Sequence, residues 1–226
     1  MSARGIFITL EGIEGSGKST LTVGLAMALR SRGLRLVTTR EPGGTPLAER
    51  LREVVLQRGE ERLSPQAETL LMFAARAVHL DNLVRPALAR GEWVLCDRYT
   101  DATRAYQGGG RGVSREFIET LSREVLGGLA PDVTLLLDLP VETGLQRAHA
   151  RRKGQGQGQG KGGEDAPDRF ESETVAFFER VRARYLDIAA SEPDRVHVLD
   201  ATLKPLPLLE SALDALRARL PGGTAA

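Results

Sequence analysis

Five short runs of nearly unbroken apolar and β-branched residues punctuate the chain, at 6–11, 34–39, 93–97, 133–139 and 195–200. Apolar and polar residues do not alternate in them. That is the pattern of strands covered on both faces in a parallel sheet. Between the runs, apolar residues recur at helical spacing. Leu80, Leu83, Val84, Ala87 and Leu88 form one such stripe, Leu209, Leu213 and Leu216 another, and 20–30 and 171–190 are further helical stretches. Strand alternating with helix predicts an α/β fold, a five-stranded parallel sheet flanked by helices. No repeat period emerges that would suggest a solenoid.

One stretch breaks the pattern: residues 153–163 read KGQGQGQGKGG. A linker between two domains would leave a core on each side of it. The C-terminal side offers only one helical stretch, one strand and a final helix, too little for a second sheet. The fifth strand is therefore expected to rejoin the first four, leaving a single domain over 1–226 from which this stretch is an excursion. Gly–Gln repeats cannot pack a core and leave the backbone flexible.

Bulk properties narrow the function classes. The 226 residues suit one domain, which needs no disulfide or metal staple. With 31 basic and 30 acidic side chains the net charge is +1, so no basic excess calls for nucleic acid or an anionic membrane. The one cysteine, Cys96, lies in an apolar run and reads as a strand-core thiol. No run approaches the ~20 apolar residues of a membrane span, and none near the start suits a signal peptide. A soluble cytoplasmic protein is expected. The final PGGTAA reads as a frayed tail.

The first run leads into Gly12-Ile13-Glu14-Gly15-Ser16-Gly17-Lys18-Ser19, which fits G-x-x-x-x-G-K-[ST] and opens a predicted helix at Thr20. Glycines let successive backbone N–H groups converge on an anion, and the helix N-terminus adds its positive dipole end. Lys18 is placed to reach the β- and γ-phosphates, and Ser19 to ligate Mg²⁺. The motif calls for a nucleoside triphosphate and leaves the acceptor open: a small-molecule kinase, or a regulatory or motor NTPase. The lone asparagine, Asn82, precedes Leu83, so no Asn-Lys-x-Asp guanine-reading motif exists. The third run ends Cys96-Asp97-Arg98 rather than in paired acids. Asp97 can serve Mg²⁺ through water, and Arg98 can bind a second phosphate.

Thr39-Arg40-Glu41-Pro42-Gly43-Gly44-Thr45, Asp97-Arg98-Tyr99 and Ala105-Tyr106-Gln107-Gly108-Gly109-Gly110-Arg111-Gly112 follow the phosphate loop in order. Together they resemble the bacterial thymidylate kinases, over about residues 5–205. The resemblance implies a P-loop NTPase fold with a lid insertion, transfer of the γ-phosphoryl of ATP to dTMP, Mg²⁺, and a homodimer. It implies that Glu14 binds the deoxyribose 3′-OH and that Arg98 holds the dTMP phosphate. Arg40 either assists Arg98 or fixes the adjoining turn. Phe73 is implied as the residue stacked on the base, with Arg76, Thr103 and Gln107 reading its edge. Phe73 stands three residues before Arg76, whereas the family's aromatic often stands four before, a position held here by Met72.

The borders of the low-complexity stretch resemble a lid over about 151–170, with 153–163 as an insertion. Arg147 would lie against adenine and Arg151 would reach the transferring phosphoryl. Some family members carry an arginine directly after the loop's acid. This chain has Gly15 there, so the missing cation is expected from the lid, where an arginine finger is worth ~10³–10⁵ in rate. The alternatives to dTMP kinase are another pyrimidine nucleotide or nucleoside kinase, and a P-loop ATPase that is not a kinase.

Overall fold

The computed structural model describes residues 4–57, 61–155, 169–170 and 173–217. Most of the low-complexity stretch, most of the expected lid and the C-terminal tail lie outside the described residues.

Five strands form one parallel sheet in the order β2-β3-β1-β4-β5. They are β1 (Phe7–Glu11), β2 (Leu36–Arg40), β3 (Trp93–Asp97), β4 (Val133–Asp138) and β5 (Val196–Asp200). Each expected strand is present within two residues of its expected bounds. β1 is buried along its whole length and β3 and β4 nearly so, while the edge strands β2 and β5 are partly exposed. An interior strand is covered on both faces, and that is why its sequence is continuously apolar.

The helices are α1 (Lys18–Ser31), α2 (Pro46–Leu56), α3 (Pro65–His79), α4 (Arg85–Ala89), α5 (Thr100–Thr103), α6 (Arg115–Leu126), α7 (Val141–Gln155), α8 (Val175–Ser191) and α9 (Pro205–Leu216). Their starts are chemically marked. Thr45, Ser64, Ser114 and Thr174 each accept a hydrogen bond from a first-turn N–H, and Pro46 and Pro65 occupy the position after their caps. The main core lies between β1, β4 and β5 and helices α1, α8 and α9. A second cluster packs Leu80, Val84, Ala87 and Leu88 onto Phe7, Val94 and Cys96 on the other face.

The apolar stripe at 80–88 is helical as expected, but not one α-helix. The backbone passes through a π-helical stretch, Leu80–Val84, before α4. Pro86 in the first turn of α4 has no N–H to continue an unbroken ladder. A second π-helical stretch, Arg104–Gly110, follows α5 and carries much of the acceptor-side motif. It runs close beside α8, where a Cβ on Gly110 would lie 2.4 Å from the Phe177 ring. Among the described residues no helix is long and apolar enough to cross a membrane.

Candidate active site

The C-terminal ends of the parallel strands converge on one edge, the usual place for ligands in such sheets. β1 delivers the loop 12–17, β2 ends at Arg40, and β3 ends at Asp97 and Arg98. Gly17 caps α1 in a left-handed conformation (φ 93°) that favours glycine. Gly15 also has positive φ (72°), and a Cβ there would fall 1.9 Å from the carbonyl oxygen of Gly144 on α7. That close approach leaves no room for any side chain at position 15. The same helix α7 supplies Arg151, whose Nη2 lies 2.7 Å from Glu14 Oε1. Position 15 is thus closed to a side chain, while α7 brings a cation to the residue before it.

Three cavities adjoin one another along this edge. The donor groove, of ≈ 630 Å³, runs between α1, α7 and α9 and is lined by Gly15, Ser16, Gly17, Thr20, Arg147 and Arg151, then by apolar residues such as Val23 and Leu206. Arg147 donates to the carbonyl of Ala201 at 2.7 Å, on its wall. The phosphate cleft is lined by Glu14, Gly15, Lys18, Ser19, Asp97 and Arg98, with Arg40 and Arg52 at its side. The acceptor cavity is lined by Glu14, Arg76, Arg98, Thr103 and Gln107, with Met72, Tyr106 and Phe170. Glu14 and Arg98 line both the cleft and the acceptor cavity, and Arg151 lines both the cleft and the donor groove.

Charge in the cleft is concentrated and buried. Lys18 Nζ donates to the carbonyls of Gly12 and Ile13 and to Ser16 Oγ at 3.0–3.3 Å. Burial and then the Arg98 cation push its pKa down to about 8, against the pull of Asp97, Glu14 and Glu11. Burial also disfavours the Glu14 carboxylate, but the fields of Lys18, Arg98 and Arg151 outweigh it and hold its pKa below the usual range. Arg40 pairs with Glu49 at 3.0 Å on the exposed side of the cleft. Glu49 also accepts from the Gly44 N–H at 2.8 Å, so the pair ties Arg40 to the turn that follows β2.

Arg98 is the one non-glycine residue with positive φ (72°) among those described. Such strain persists only where the surroundings impose it. Here the Arg98 N–H donates to Leu10 and the Tyr99 N–H donates to Glu11 Oε1 at 2.7 Å. The guanidinium donates to the Gly12 carbonyl and to the hydroxyls of Tyr185 and Tyr106 at 3.0–3.3 Å. Glu11 closes the circuit by accepting from Tyr185 Oη at 2.7 Å. Burial, reinforced by Asp101, pushes the Glu11 pKa up to about 8 despite the cation. This support for Arg98 was missed in the sequence, although a glutamate ending an apolar run was a visible signal.

On the acceptor side, Arg76 Nε donates to Glu41 Oε2 at 2.6 Å, and Nη2 donates to the Tyr99 carbonyl and to Thr103 Oγ1 at 3.1 Å. Its Nη1 is buried without a hydrogen-bond partner. Glu41 also binds His79 Nδ1 at 2.9 Å, and His79 Nε2 meets Thr39 Oγ1 at 2.7 Å. The structure corrects the expectation for Phe73. That ring is 2 % exposed, packs with Val113 and Ile118, and lies under the Arg76 guanidinium at 4.9 Å, away from the cavity lining. One helical step turns a side chain by about 100°, so Met72 faces the cavity and Phe73 faces α6. Aromatic walls come instead from Tyr106, Phe170 and Phe178.

The residues present fit a magnesium ion that keeps most of its shell from phosphate and water. Asp97 Oδ1 is buried with no hydrogen-bond partner, and Ser19 lines the same cleft. No group of three or more His, Cys, Asp or Glu side chains suited to an all-protein metal cage exists among the described residues.

A phosphate loop at the centre of a parallel sheet, joined on one side to a groove and on the other to a second cavity, defines a P-loop phosphotransferase acting between two bound molecules. The family model described as thymidylate kinase matches residues 10–211. Thymidylate kinase of Pseudomonas fluorescens (strain SBW25) is 56% identical over 212 residues, covering 94% of each chain. Thymidylate kinase of Pseudomonas entomophila (strain L48) is 56% identical over 218 residues, covering 96% of each. The crystal structure of thymidylate kinase from Ehrlichia chaffeensis superposes with a TM-score of 0.71 at 29% identity, over 94% of this chain and 99% of that one. The chain belongs to the thymidylate kinase family.

Proposed function

We propose that the protein transfers the γ-phosphoryl group of ATP to the phosphate of dTMP, giving ADP and dTDP. Family membership supports the activity, and the geometry supports the division of labour. The observation that carries it is that Glu14 and Arg98 line both the phosphate cleft and the acceptor cavity. An acceptor phosphate held there lies beside the γ-phosphoryl of ATP, and such transfer is chiefly positioning and charge neutralisation. No general base is needed for attack by a phosphate oxygen.

In this reading the loop 12–17, Ser19 and Thr20 bind ATP, with Arg147 beside its adenine and Lys18 on its β- and γ-phosphates. Ser19, and Asp97 through water, hold Mg²⁺. When bound, that ion neutralises charge on the phosphate oxygens. Arg98 grips the dTMP phosphate, Arg40 lends charge at the mouth, and Glu14 accepts from the deoxyribose 3′-OH. Arg76, Thr103 and Gln107 face the base. Arg151, half-exposed and already beside Glu14, turns to the transferring phosphoryl as the lid closes over both substrates. The lid is taken to be about residues 151–170, inserted in a single kinase domain. The reading also includes a cytoplasmic homodimer without nucleic-acid or membrane partners.

The test is to supply Mg·ATP with dTMP, dUMP, UMP, CMP, AMP and GMP in turn and follow ADP formation. dTMP is expected to stimulate most. No stimulation by dTMP over buffer would sink the proposal.

A further inference from the structure

We propose that Glu68 decides which class of pyrimidine the acceptor cavity takes, by fixing the direction in which the Gln107 amide faces it. The proposal rests on the acceptor assignment above. Glu68 is a positioning residue in this account. It lies on α3, fully buried, and is absent from the cavity lining.

Its Oε1 accepts from Gln107 Nε2 at 2.8 Å and, more weakly, from Arg111 Nε at 3.4 Å. Arg169 Nη2 lies 3.2 Å from Oε2, an ion pair without directed hydrogen-bond geometry. A carboxylate between two guanidinium groups can only accept. A primary amide donates at one end and accepts at the other, and left alone would turn to suit either kind of ligand. Next to Glu68 it cannot turn, because the end facing the carboxylate must be the NH₂ group. Gln107 Oε1 is thereby held as an acceptor on a residue that lines the cavity.

Arg76 supplies the opposite group. Its Nε and Nη2 are committed to Glu41, Tyr99 and Thr103, and its buried Nη1 is not. In this account Gln107 Oε1 is the fixed acceptor for the base and Arg76 Nη1, buried without a hydrogen-bond partner on a residue of the same lining, the fixed donor. A pyrimidine with an imide edge, an N3–H beside a C4 carbonyl, complements both. Cytosine presents a bare N3 beside an amino group and meets like with like at both points. A site built to hydrogen-bond its ligand rejects one that leaves buried groups unpaired. Glu68 also ties Arg169 to α3, next to Phe170 on the cavity wall. Loss of that tie would weaken every base alike, so the diagnostic quantity is a ratio rather than an activity.

The experiment measures kcat/KM for dTMP and for dCMP in the wild type, Glu68→Gln and Glu68→Asp. Glu68→Gln replaces an acceptor with a group that can also donate, so Gln107 is released, and the dTMP:dCMP ratio is expected to fall about tenfold or more. Glu68→Asp stays acceptor-only, so both values fall together and the ratio stays within about twofold of the wild type. An unchanged ratio in Glu68→Gln, or an equal collapse in Glu68→Asp, overturns the proposal while leaving the acceptor assignment intact. Absence of dTMP-dependent turnover in the wild type overturns the assignment and the proposal with it. Should Glu68→Gln fail to fold, NMR of the Gln107 side-chain amide in the native protein decides. Slowly exchanging NH₂ protons without nucleotide are expected, and rapidly exchanging ones contradict the fixed amide.

Discussion

The end of this site proposed to hold phosphate and the end proposed to hold the base are built by opposite means. At the phosphate end one stretch, 12–19, supplies backbone amides, a helix terminus, a lysine and a serine, and little else has to be arranged. At the base end Arg76, Thr103 and Gln107 come from α3, α5 and the π-helical stretch after it, and each is held by a buried partner. Arg76 and Thr103 bind each other, Arg76 also binds Glu41, and Gln107 binds Glu68. Backbone-built recognition serves any triphosphate. Side-chain-built recognition distinguishes one base from another, and it needs a rigid second set of side chains to do so.

This contrast predicts that substitutions at the two ends fail differently. The largest effect is expected for Lys18→Ala, which removes the cation proposed to sit on the transferring group and should lower kcat by about 10³-fold or more. Thermal unfolding should show that the protein remains folded. Arg151→Ala should cost about 10²- to 10³-fold in kcat while dTMP binding, measured by calorimetry, stays nearly unchanged. A loss in binding alone would show that Arg151 merely helps hold substrate. Arg76→Met belongs to the other end. It should raise KM for dTMP by roughly 10- to 100-fold, since a charged hydrogen bond and its buried partners are lost, and leave KM for ATP within about twofold. Equal damage to both constants would erase the distinction between the two ends.

The pH dependence sharpens the same comparison. Lys18 carries its charge below a pKa of about 8 and loses it above. A neutral amine attracts phosphate less, so kcat/KM for ATP, which reports the free enzyme, should fall above pH 8 by up to about tenfold per unit. A profile flat to pH 10 would place the Lys18 titration elsewhere. The smallest effect is expected from shortening 154–163, which should change kcat by less than about threefold and leave the preference for dTMP intact. Loss of activity would mean that this segment touches nucleotide.

The two ends also differ in how far they are legible in the sequence. The strands were readable because interior parallel strands are continuously apolar. The phosphate loop was readable because its chemistry is contiguous. The π-helical stretches were not, since apolar spacing over 80–88 looks the same for an α-helix and for one with a bulge. Phe73 was misplaced because a one-residue difference on a helix moves a side chain to another face. Glu41 stood inside a quoted motif, and Glu68 was not singled out at all, so neither showed its part. Their partners lie 35 and 39 residues away along the chain, and only the fold brings them together. Gly15 is the converse case. The absence of an arginine there was noticed, but its cause, the close approach of Gly144, became visible only in three dimensions.

The central claim is that a phosphoryl group passes directly between two molecules bound in adjoining cavities. A single turnover with γ-labelled ATP and excess dTMP tests it directly. The label is predicted to appear in dTDP, in step with ADP and without inorganic phosphate. Label released as inorganic phosphate at a rate indifferent to dTMP would contradict it.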